Sequence, residues 1–267
     1  MDETRERLAM ARQIALGAGA ILLDHRAHLA DLAVHLKARR NPVTEADLAA
    51  EDFIKRELQR QFAGEHILTE EQGEVRGAHD SPMRWIVDPL DGTVNFAHGL
   101  GMFAIAIALE ARGVLELGII YAPALGEMFA AARGAGATLN DKPIAVSAQH
   151  DLSEGLLATG FAYARNEVRD NNVQHFNDFI LRVRDLRRIG SAAYDLACVA
   201  CGRMDGYWEL HLSPWDMAAG ALLVAEAGGR VTDFTGGGEF LARHEIVATN
   251  GLLHEPVRTI LAGSLPS

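Results

Sequence analysis

The protein is a chain of 267 residues, 49% of them hydrophobic, and this composition excludes an intrinsically disordered chain because it allows a substantial buried core. The 36 acidic and 25 basic residues give a formal charge of −11, which argues against a nucleic-acid-binding surface because such a surface needs clustered basic residues. No apolar run approaches the roughly 18 residues of a membrane span. We therefore expect a cytoplasmic protein that binds neither nucleic acid nor membrane.

Two helices are predicted at the start of the chain. Apolar residues recur at helical spacing between residues 5 and 24, which is typical of a helix packed on a core. The second helix is predicted to begin after Thr44, which suits an N-cap with Asp47 three residues later as in a capping box. We expect this helix to extend to about Gln61.

Strand patterns dominate the centre of the chain, where turn residues separate the runs FAIAIALEA, VLELGIIYAP and EMFAAARGAGATLN. These runs predict antiparallel neighbours. After about Ser147, predicted strands and helices alternate, and they include a helix at about 169–184. This order predicts an α/β (α+β) protein with layered helices and sheets. We interpret residues 1–267 as a single domain with halves of about 1–147 and 148–267.

The two cysteines form the tetrapeptide CVAC within an apolar helical pattern. A redox pair or half of a zinc site is the functional alternative, but the sequence has no second CxxC to complete a tetrahedral site. The pattern predicts that Cys198 and Cys201 are small residues of a buried helix.

A pair of aspartates follows an apolar run in the stretch IVDPLDGTVNF. Pro89 favours an extended backbone at Asp88, and Gly92 permits tight geometry, so the side chains of Asp88 and Asp91 can point toward one space. Carboxylates at the mouth of a buried strand are costly to desolvate unless a partner neutralises them. The bland alternative is that both aspartates only form a turn.

Further acidic residues stand at comparable places, since Glu70 and Glu71 end the strand-like HILT and Asp216 opens a predicted helix. If these acids meet the aspartate pair, each two charges about 4 Å apart oppose folding by roughly 4 kcal/mol at an effective dielectric of 20. Raised pKa values or bound divalent cations would relieve this repulsion. Oxygen ligands alone suit Mg²⁺ better than Zn²⁺.

The chain resembles the inositol monophosphatase family in five stretches, in the family's order: LKARRNPVTEADL, LTEEQG, WIVDPLDGTVNF followed by HG, RRIGSAAYDLACVACGRMDGYWE, and PWDMAAGALLVAEAGG. The resemblance covers essentially the whole chain. It implies a five-layered α/β/α/β/α sandwich that forms one catalytic domain. It also implies two to three Mg²⁺ ions per active site, inhibition by Li⁺, a homodimer, and hydrolysis of phosphate monoesters by a metal-activated water.

Site residues are implied by position in the same motifs. The resemblance implies metal ligands at Glu70, Asp88, the carbonyl of Leu90, Asp91 and Asp216. It implies catalytic roles for Glu70, Thr93 and Asp47, with Thr93 and Glu70 orienting the attacking water and Asp47 in hydrogen-bond reach of Thr93. Substrate-binding residues are implied at Asp91, Gly92, Thr93, Arg188, Ser191, Ala192, Glu209 and Asp216. Lys37 and Glu71 are implied as supporting residues behind this site.

The phosphate ester is expected to be a myo-inositol monophosphate, because Glu209 matches a position that bonds a ring hydroxyl and a carboxylate accepts strong hydrogen bonds from polyols. Glu209 could instead be an exposed glutamate at a strand end, and Arg188 a surface cation paired with an acid. Histidinol phosphate is the main alternative substrate, and fructose 1,6-bisphosphate and nucleotide 3′-phosphates are secondary alternatives. Gly101 and Ala162 stand where proline is frequent in the family, which leaves selectivity open. A regulatory binding protein with vestigial activity is the alternative function.

Overall fold

The structure is a computed structural model that describes residues 2–29, 34–38, 41–78 and 81–263. Two β-sheets alternate with three layers of helices, which gives the five-layered α/β/α/β/α sandwich that was predicted. A small antiparallel hairpin lies outside these sheets. Within the described residues, no helix is both long enough and apolar enough to cross a membrane.

The first layer consists of two helices that pack against each other and against the larger sheet, α1 (Asp2–Ala27) and α2 (Glu45–Gln61). The hairpin between them pairs β1 (Val34–Ala38) with β2 (Asn41–Thr44). Helix α2 begins as predicted, because Thr44 and Asp47 form a capping box in which the Thr44 amide donates to Asp47 Oδ2 at 2.8 Å. The cap fixes the position of a buried carboxyl group at the first turn of the helix.

The larger sheet has eight strands in the order β10-β9-β8-β7-β6-β5-β3-β4, and β3 and β5 form its parallel pair. The strands are β3 (His66–Thr69), β4 (Gly73–Val75), β5 (Met83–Asp91), β6 (Ala104–Ala111), β7 (Val114–Ala122), β8 (Glu127–Ala132), β9 (Gly136–Leu139) and β10 (Lys142–Ile144). The short helix α3 (Thr93–Ala97) follows β5. The three central runs that predicted antiparallel neighbours supply β6 to β9.

The second sheet has five strands in the order β12-β11-β13-β15-β14. The strands are β11 (Leu156–Thr159), β12 (Asp185–Arg187), β13 (Gly206–Leu210), β14 (Arg230–Thr232) and β15 (Glu245–Thr249). Between the two sheets lie α5 (Ala192–Ala200) and α6 (Pro214–Glu226), and on the outer side lie α4 (Val173–Ile180) and α8 (His254–Gly263). The four-residue helix α7 (Phe240–Arg243) precedes β15.

Three apolar clusters fill the spaces between these layers. Ile54 and Trp85 belong to the cluster under α1 and α2, and Leu196 belongs to the large cluster between the sheets. In the outer cluster, the rings of Phe179 and Trp208 stack with centroids 4.1 Å apart. Both cysteines are free, with Cys198 buried in α5 and Cys201 partly buried just after it. The interpretation as a single domain with two halves stays a prediction.

Helix α4 is shorter than the predicted 169–184, and it begins after Asn172, whose φ of 69° is left-handed. Asn172 is buried, and its Nδ2 donates to Thr159 Oγ1 at 2.7 Å and to the Gly160 carbonyl at 2.6 Å. Its Oδ1 accepts from Trp208 Nε1 at 2.8 Å. These long-range bonds hold the backbone out of the helical region before residue 173, so tertiary contacts decide where the helix starts.

Candidate active site

A cavity of about 450 Å³ opens where the turn after β5 meets the N-terminal ends of α5 and α6. The segment after β11 forms another part of its wall. The expected site residues that line it are Glu70, Asp88, Leu90, Asp91, Gly92, Thr93, Arg188, Ser191, Ala192, Glu209 and Asp216. Residues from stretches as distant as 70 and 216 therefore share one space.

Three carboxyl groups converge at one end of this cavity. Asp88, Asp91 and Asp216 each offer a carboxylate oxygen, and these three oxygens lie within 4.8 Å of one another. The pairing of β5 with β6 shifts register between Asp88 and Asp91, and such an irregularity redirects the side chains at a strand end. Gly92, with φ of 90°, then makes the left-handed turn into α3.

Each of these carboxyl groups is fixed by hydrogen bonds, which come from its own turn for Asp88 and Asp216 and from the start of α5 for Asp91. Asp88 Oδ1 accepts from the Leu90 amide at 2.9 Å, and Asp216 Oδ2 accepts from the Ser213 amide at 2.7 Å. Asp91 Oδ2 accepts from Ser191 Oγ at 2.6 Å and from the amide of Ala193, at the start of α5, at 2.7 Å. Within the described residues, the other oxygen of Asp88 and of Asp216 accepts no hydrogen bond, so it is available to a ligand.

Burial and mutual repulsion disfavour the charged form of all three acids. Burial, followed by the charges of Glu70 and the other two acids, raises the pKa of Asp88 well above its usual value. Burial and the charge of Asp91 do the same to the pKa of Asp216. Burial raises the pKa of Asp91 to about 6, although its hydrogen bonds lower it. A cluster of hard oxygen ligands with unfavourable charge fits a divalent cation such as Mg²⁺.

Glu70 lies directly after β3 in the same cavity wall, partly buried. It is not among the three acids whose oxygens lie within 4.8 Å of one another, but its charge raises the pKa of each of them. Its turn is held by Glu51, a fully buried residue of α2. Glu51 Oε1 accepts from Thr69 Oγ1 at 2.9 Å, and Oε2 accepts from the Glu71 amide at 2.8 Å.

Sequence reasoning missed Glu51. The signal was its position four residues after Asp47, on the same buried face of α2 as Ile54 and Leu58. A carboxyl group on the apolar face of an amphipathic helix needs hydrogen-bond donors, and here the donors come from the turn that carries Glu70. The expected support from Glu71 and Lys37 stays a prediction. The side chain of Lys37, in β1, lies outside the described part of the structure.

Thr93 joins the turn after β5 to the start of α2. Its hydroxyl lies 3.1 Å from Asp47 Oδ1 and 3.1 Å from the Leu90 carbonyl, and it donates its single proton to one of them at a time. Burial, and more weakly the charge of Glu70, raise the pKa of Asp47, while hydrogen bonds from Thr44 and Thr93 lower it. The pair therefore connects the cavity to a buried proton acceptor.

The segment before α5 packs against the turn after β5 and supplies the adjoining part of the cavity wall. Ser191 is the N-cap of α5 and is buried. Gly190 precedes it with φ of 97°, in the left-handed region that favours glycine. Arg188 is exposed at the rim of the cavity, and within the described residues it forms no ion pair. The alternative that Arg188 is a surface cation paired with a neighbouring acid therefore lacks a partner there.

Glu209 lies on β13 in the cavity wall and is only 8% exposed, so the alternative of an exposed strand-end glutamate is wrong. Tyr207 donates its hydroxyl to Glu209 Oε2. Burial raises the pKa of Glu209 to about 7, against the lowering effects of Tyr207 and Arg188. A second acid in this wall, Asp195 of α5, was not singled out from the sequence.

Comparison with known proteins gives a consistent assignment. The sequence pattern of the inositol monophosphatase family matches residues 3–263. The chain is 43% identical over 241 residues to an inositol-1-monophosphatase of Mesorhizobium japonicum, covering 90% of each chain. It is 41% identical over 262 residues to the Nus factor SuhB of Pseudomonas aeruginosa, covering 97% of each. The crystal structure of the extragenic suppressor protein suhB of Bartonella henselae is similar with a TM-score of 0.92 and 39% identity, covering 97% of this chain and 100% of that one. The chain belongs to the inositol monophosphatase family.

Proposed function

We propose that this protein is a Mg²⁺-dependent phosphatase that hydrolyses phosphate monoesters, with a myo-inositol monophosphate as its preferred substrate. The observation that carries the proposal is the convergence of Asp88, Asp91 and Asp216 within 4.8 Å at one end of a cavity. A family that includes inositol-1-monophosphatases supports phosphatase activity. Further carboxyl groups in the wall of the same cavity support a substrate that carries hydroxyl groups.

The metal ligands would be the three clustered aspartates, together with Glu70 and the carbonyl of Leu90. Divalent cations bound there supply positive charge for the phosphate oxygens, a lowered pKa for water and stabilisation of the leaving oxygen. The aspartates are suited to this role because hydrogen bonds hold one oxygen of each carboxyl group in place.

Thr93 and Asp47 would orient the attacking water. When the Thr93 hydroxyl donates to Asp47 Oδ1, which lies 3.1 Å away, the lone pairs of Thr93 Oγ1 can accept hydrogen bonds from other donors. A water that donates one hydrogen bond to Thr93 Oγ1 would donate its second to Glu70 in the same wall, and one of its lone pairs would then be free to attack the phosphorus atom. The raised pKa of Asp47 makes this carboxylate a better proton acceptor than an exposed aspartate.

The substrate would lie between the acidic cluster and Glu209. Arg188 at the rim adds the positive charge that a phosphate anion requires, and Ser191 and Ala192 form the wall beside it. Glu209 Oε1 would accept a hydrogen bond from a ring hydroxyl, since Tyr207 occupies Oε2. Histidinol phosphate and fructose 1,6-bisphosphate are the competing esters on the same acidic core.

The experiment that tests the proposal is phosphate release from inositol 1-phosphate, histidinol phosphate and fructose 1,6-bisphosphate, measured with Mg²⁺ and with a chelator. We expect activity only with Mg²⁺, the highest kcat/KM for inositol 1-phosphate, and inhibition by Li⁺. Sedimentation of the same sample tests the expected homodimer. Turnover that survives complete chelation contradicts the metal-dependent mechanism, and a preference for another ester contradicts the substrate assignment.

A second candidate is a regulatory binding role, which the relatives named Nus factor SuhB favour. The Asp88→Asn variant separates the two candidates when it replaces the wild-type chain in cells that require the protein. Rescue by this variant, after loss of its phosphatase activity has been verified in vitro, supports the binding role. Failure to rescue at wild-type protein levels supports the catalytic role.

A further inference from the structure

One carboxyl group in the cavity wall has no part in the proposed mechanism. Asp195 lies in the first turn of α5, is only 2% exposed, and lines the cavity. Its Oδ1 is buried without a hydrogen-bond partner. No side-chain hydrogen bond to Asp195 occurs within the described residues, in contrast to the three clustered aspartates.

A buried polar group without a partner destabilises a folded protein. Burial, and then the charges of Glu209 and Asp91, raise the pKa of Asp195 well above its usual value. A protonated carboxyl group is both a donor and an acceptor of hydrogen bonds. The group that would satisfy Asp195 is therefore a neutral one with the same two capacities, which is the chemistry of a hydroxyl.

Glu209 offers a complementary acceptor in the same wall. Tyr207 donates to its Oε2, and within the described part of the chain its Oε1 has no donor. Asp195 and Glu209 do not bond each other, although the charge of Glu209 raises the pKa of Asp195. Gly160 leaves the space that the Glu209 carboxylate occupies, because a Cβ at this position would overlap it.

We propose that Asp195 is a substrate-binding residue that acts with Glu209 to hold hydroxyl groups of the substrate's alcohol portion, and so determines the preference for polyol monophosphates. The proposal rests on the phosphatase function proposed above. A single hydroxyl can accept a hydrogen bond from Asp195 and donate one to Glu209, and an ester without hydroxyl groups can do neither. Asp195 thus selects against simple aryl and alkyl phosphates.

The test compares inositol 1-phosphate with phenyl phosphate, which has no hydroxyl groups on its ring. Asp195→Leu removes the polar atoms at similar size. We expect it to lower kcat/KM for inositol 1-phosphate by about 10- to 100-fold, mainly through KM. The change for phenyl phosphate should stay within about twofold, since that ester loses no hydrogen bond. Asp195→Asn, which keeps a donor and an acceptor, should lose only about threefold on the inositol ester.

Cys198→Ala is the matched control, because Cys198 is buried in the same helix and does not line the cavity. It should change both esters by the same factor. Equal losses on both esters in Asp195→Leu, or no loss on inositol 1-phosphate, would overturn the proposal. If Asp195→Leu does not fold, Asp195→Ala replaces it, with thermal unfolding as the check.

Calorimetric binding of the two esters, with Ca²⁺ in place of Mg²⁺, separates this inference from the proposed function. A wild-type protein that hydrolyses neither ester contradicts the proposed function, and the binding data then decide the role of Asp195. The inference requires the wild type to bind inositol 1-phosphate at least about tenfold more tightly than Asp195→Leu does. Equal affinities contradict it.

Discussion

The cavity wall contains two sets of acids, and the surrounding protein treats them differently. In the first set, Asp88, Asp91 and Asp216 all accept hydrogen bonds, from their own turns or from the start of α5, and their remaining difficulty is mutual repulsion. In the second set, within the described residues, Asp195 accepts no hydrogen bond and Glu209 accepts one from Tyr207. Acids with satisfied hydrogen bonds and unfavourable charge suit a cation, whereas a buried acid without a hydrogen-bond partner suits a neutral hydroxyl.

The difference between the two sets of acids depends most strongly on Asp88, so the Asp88→Asn variant should have the largest effect on activity. We expect kcat/KM to fall by about 10³-fold or more, since a divalent ion supplies several kcal/mol of transition-state stabilisation. Without metal the same variant should unfold at a higher temperature, because one repelling charge is gone. Each kcal/mol corresponds to about 2–4 °C in a protein of this size.

A substitution that lowers activity but raises metal-free stability identifies Asp88 as part of a cation site rather than as a structural aspartate. The matched control is Asp24→Asn, at an exposed position of α1, which should change neither quantity. A metal-free Asp88→Asn protein that is less stable than the wild type would contradict this description of the three clustered aspartates.

Thr93→Val tests whether a residue beside the three aspartates also positions the attacking water. Valine has the size of threonine but cannot connect the cavity to Asp47. Because proton transfer through positioned groups contributes roughly 10²–10⁴-fold, we expect kcat to fall by about 10²-fold with KM nearly unchanged. Thr93→Ser retains the hydroxyl and should retain most of the rate. A Thr93→Val enzyme with full kcat would remove Thr93 and Asp47 from the mechanism.

The pH dependence of stability should show the titration of acids from both sets. Folding raises the pKa of Asp91 from 3.8 to about 6 and that of Glu209 from 4.5 to about 7. The folded protein therefore binds more protons than the unfolded chain in this range. The contribution of these two groups to metal-free stability is greatest below about pH 4, and it falls as the pH rises to about 7.

The expected loss is roughly 3 kcal/mol after solvent screening in the open cavity is allowed for. Urea unfolding between pH 4 and pH 8 in the presence of a chelator measures it. Glu209→Gln should flatten the upper part of this dependence, since it removes the group that titrates near pH 7. Metal-free stability that rises between pH 5 and pH 7 would contradict the assignment.

The smallest expected effect concerns the proposed hydroxyl-binding residues, Asp195 and Glu209. Gly160→Ala places a Cβ where the Glu209 carboxylate lies, so that side chain must move. We expect kcat/KM for inositol 1-phosphate to fall by about tenfold, in line with the loss of one hydrogen bond, and phenyl phosphate to be affected less. Gly238→Ala, where a Cβ meets no other atom within 4 Å, is the control. Equal losses on both esters would show that Gly160 shapes the whole cavity instead.

Sequence patterns predicted the parts of this molecule whose cause is local. The capping box of Thr44 and Asp47 and the hydrogen bond from the Leu90 amide to Asp88 depend on neighbours within a few residues. The layered fold followed from the alternation of apolar runs and turn residues. The start of α4 could not be predicted in this way, because Asn172 is held by residues of β11 and β13.

The acids that escaped prediction lie inside helices. Glu51 and Asp195 belong to helical patterns in which an isolated carboxyl group is read as a solvated position. Only the packing shows that the hydrogen-bond donors to Glu51 come from the turn after β3, and that Asp195 has none. The sequence indicates which residues are acidic, and the three-dimensional arrangement indicates which of them lack a partner.

Thermal unfolding of the wild type and of Asp88→Asn at neutral pH, with a chelator and with millimolar Mg²⁺, tests the central claim most directly. If the three aspartates form a cation site, Mg²⁺ should stabilise the wild type by about 2.7 kcal/mol at a concentration 100 times its Kd, and the stabilisation should largely disappear in Asp88→Asn. A wild-type unfolding temperature that does not respond to Mg²⁺, or an equal response in both proteins, would contradict the account.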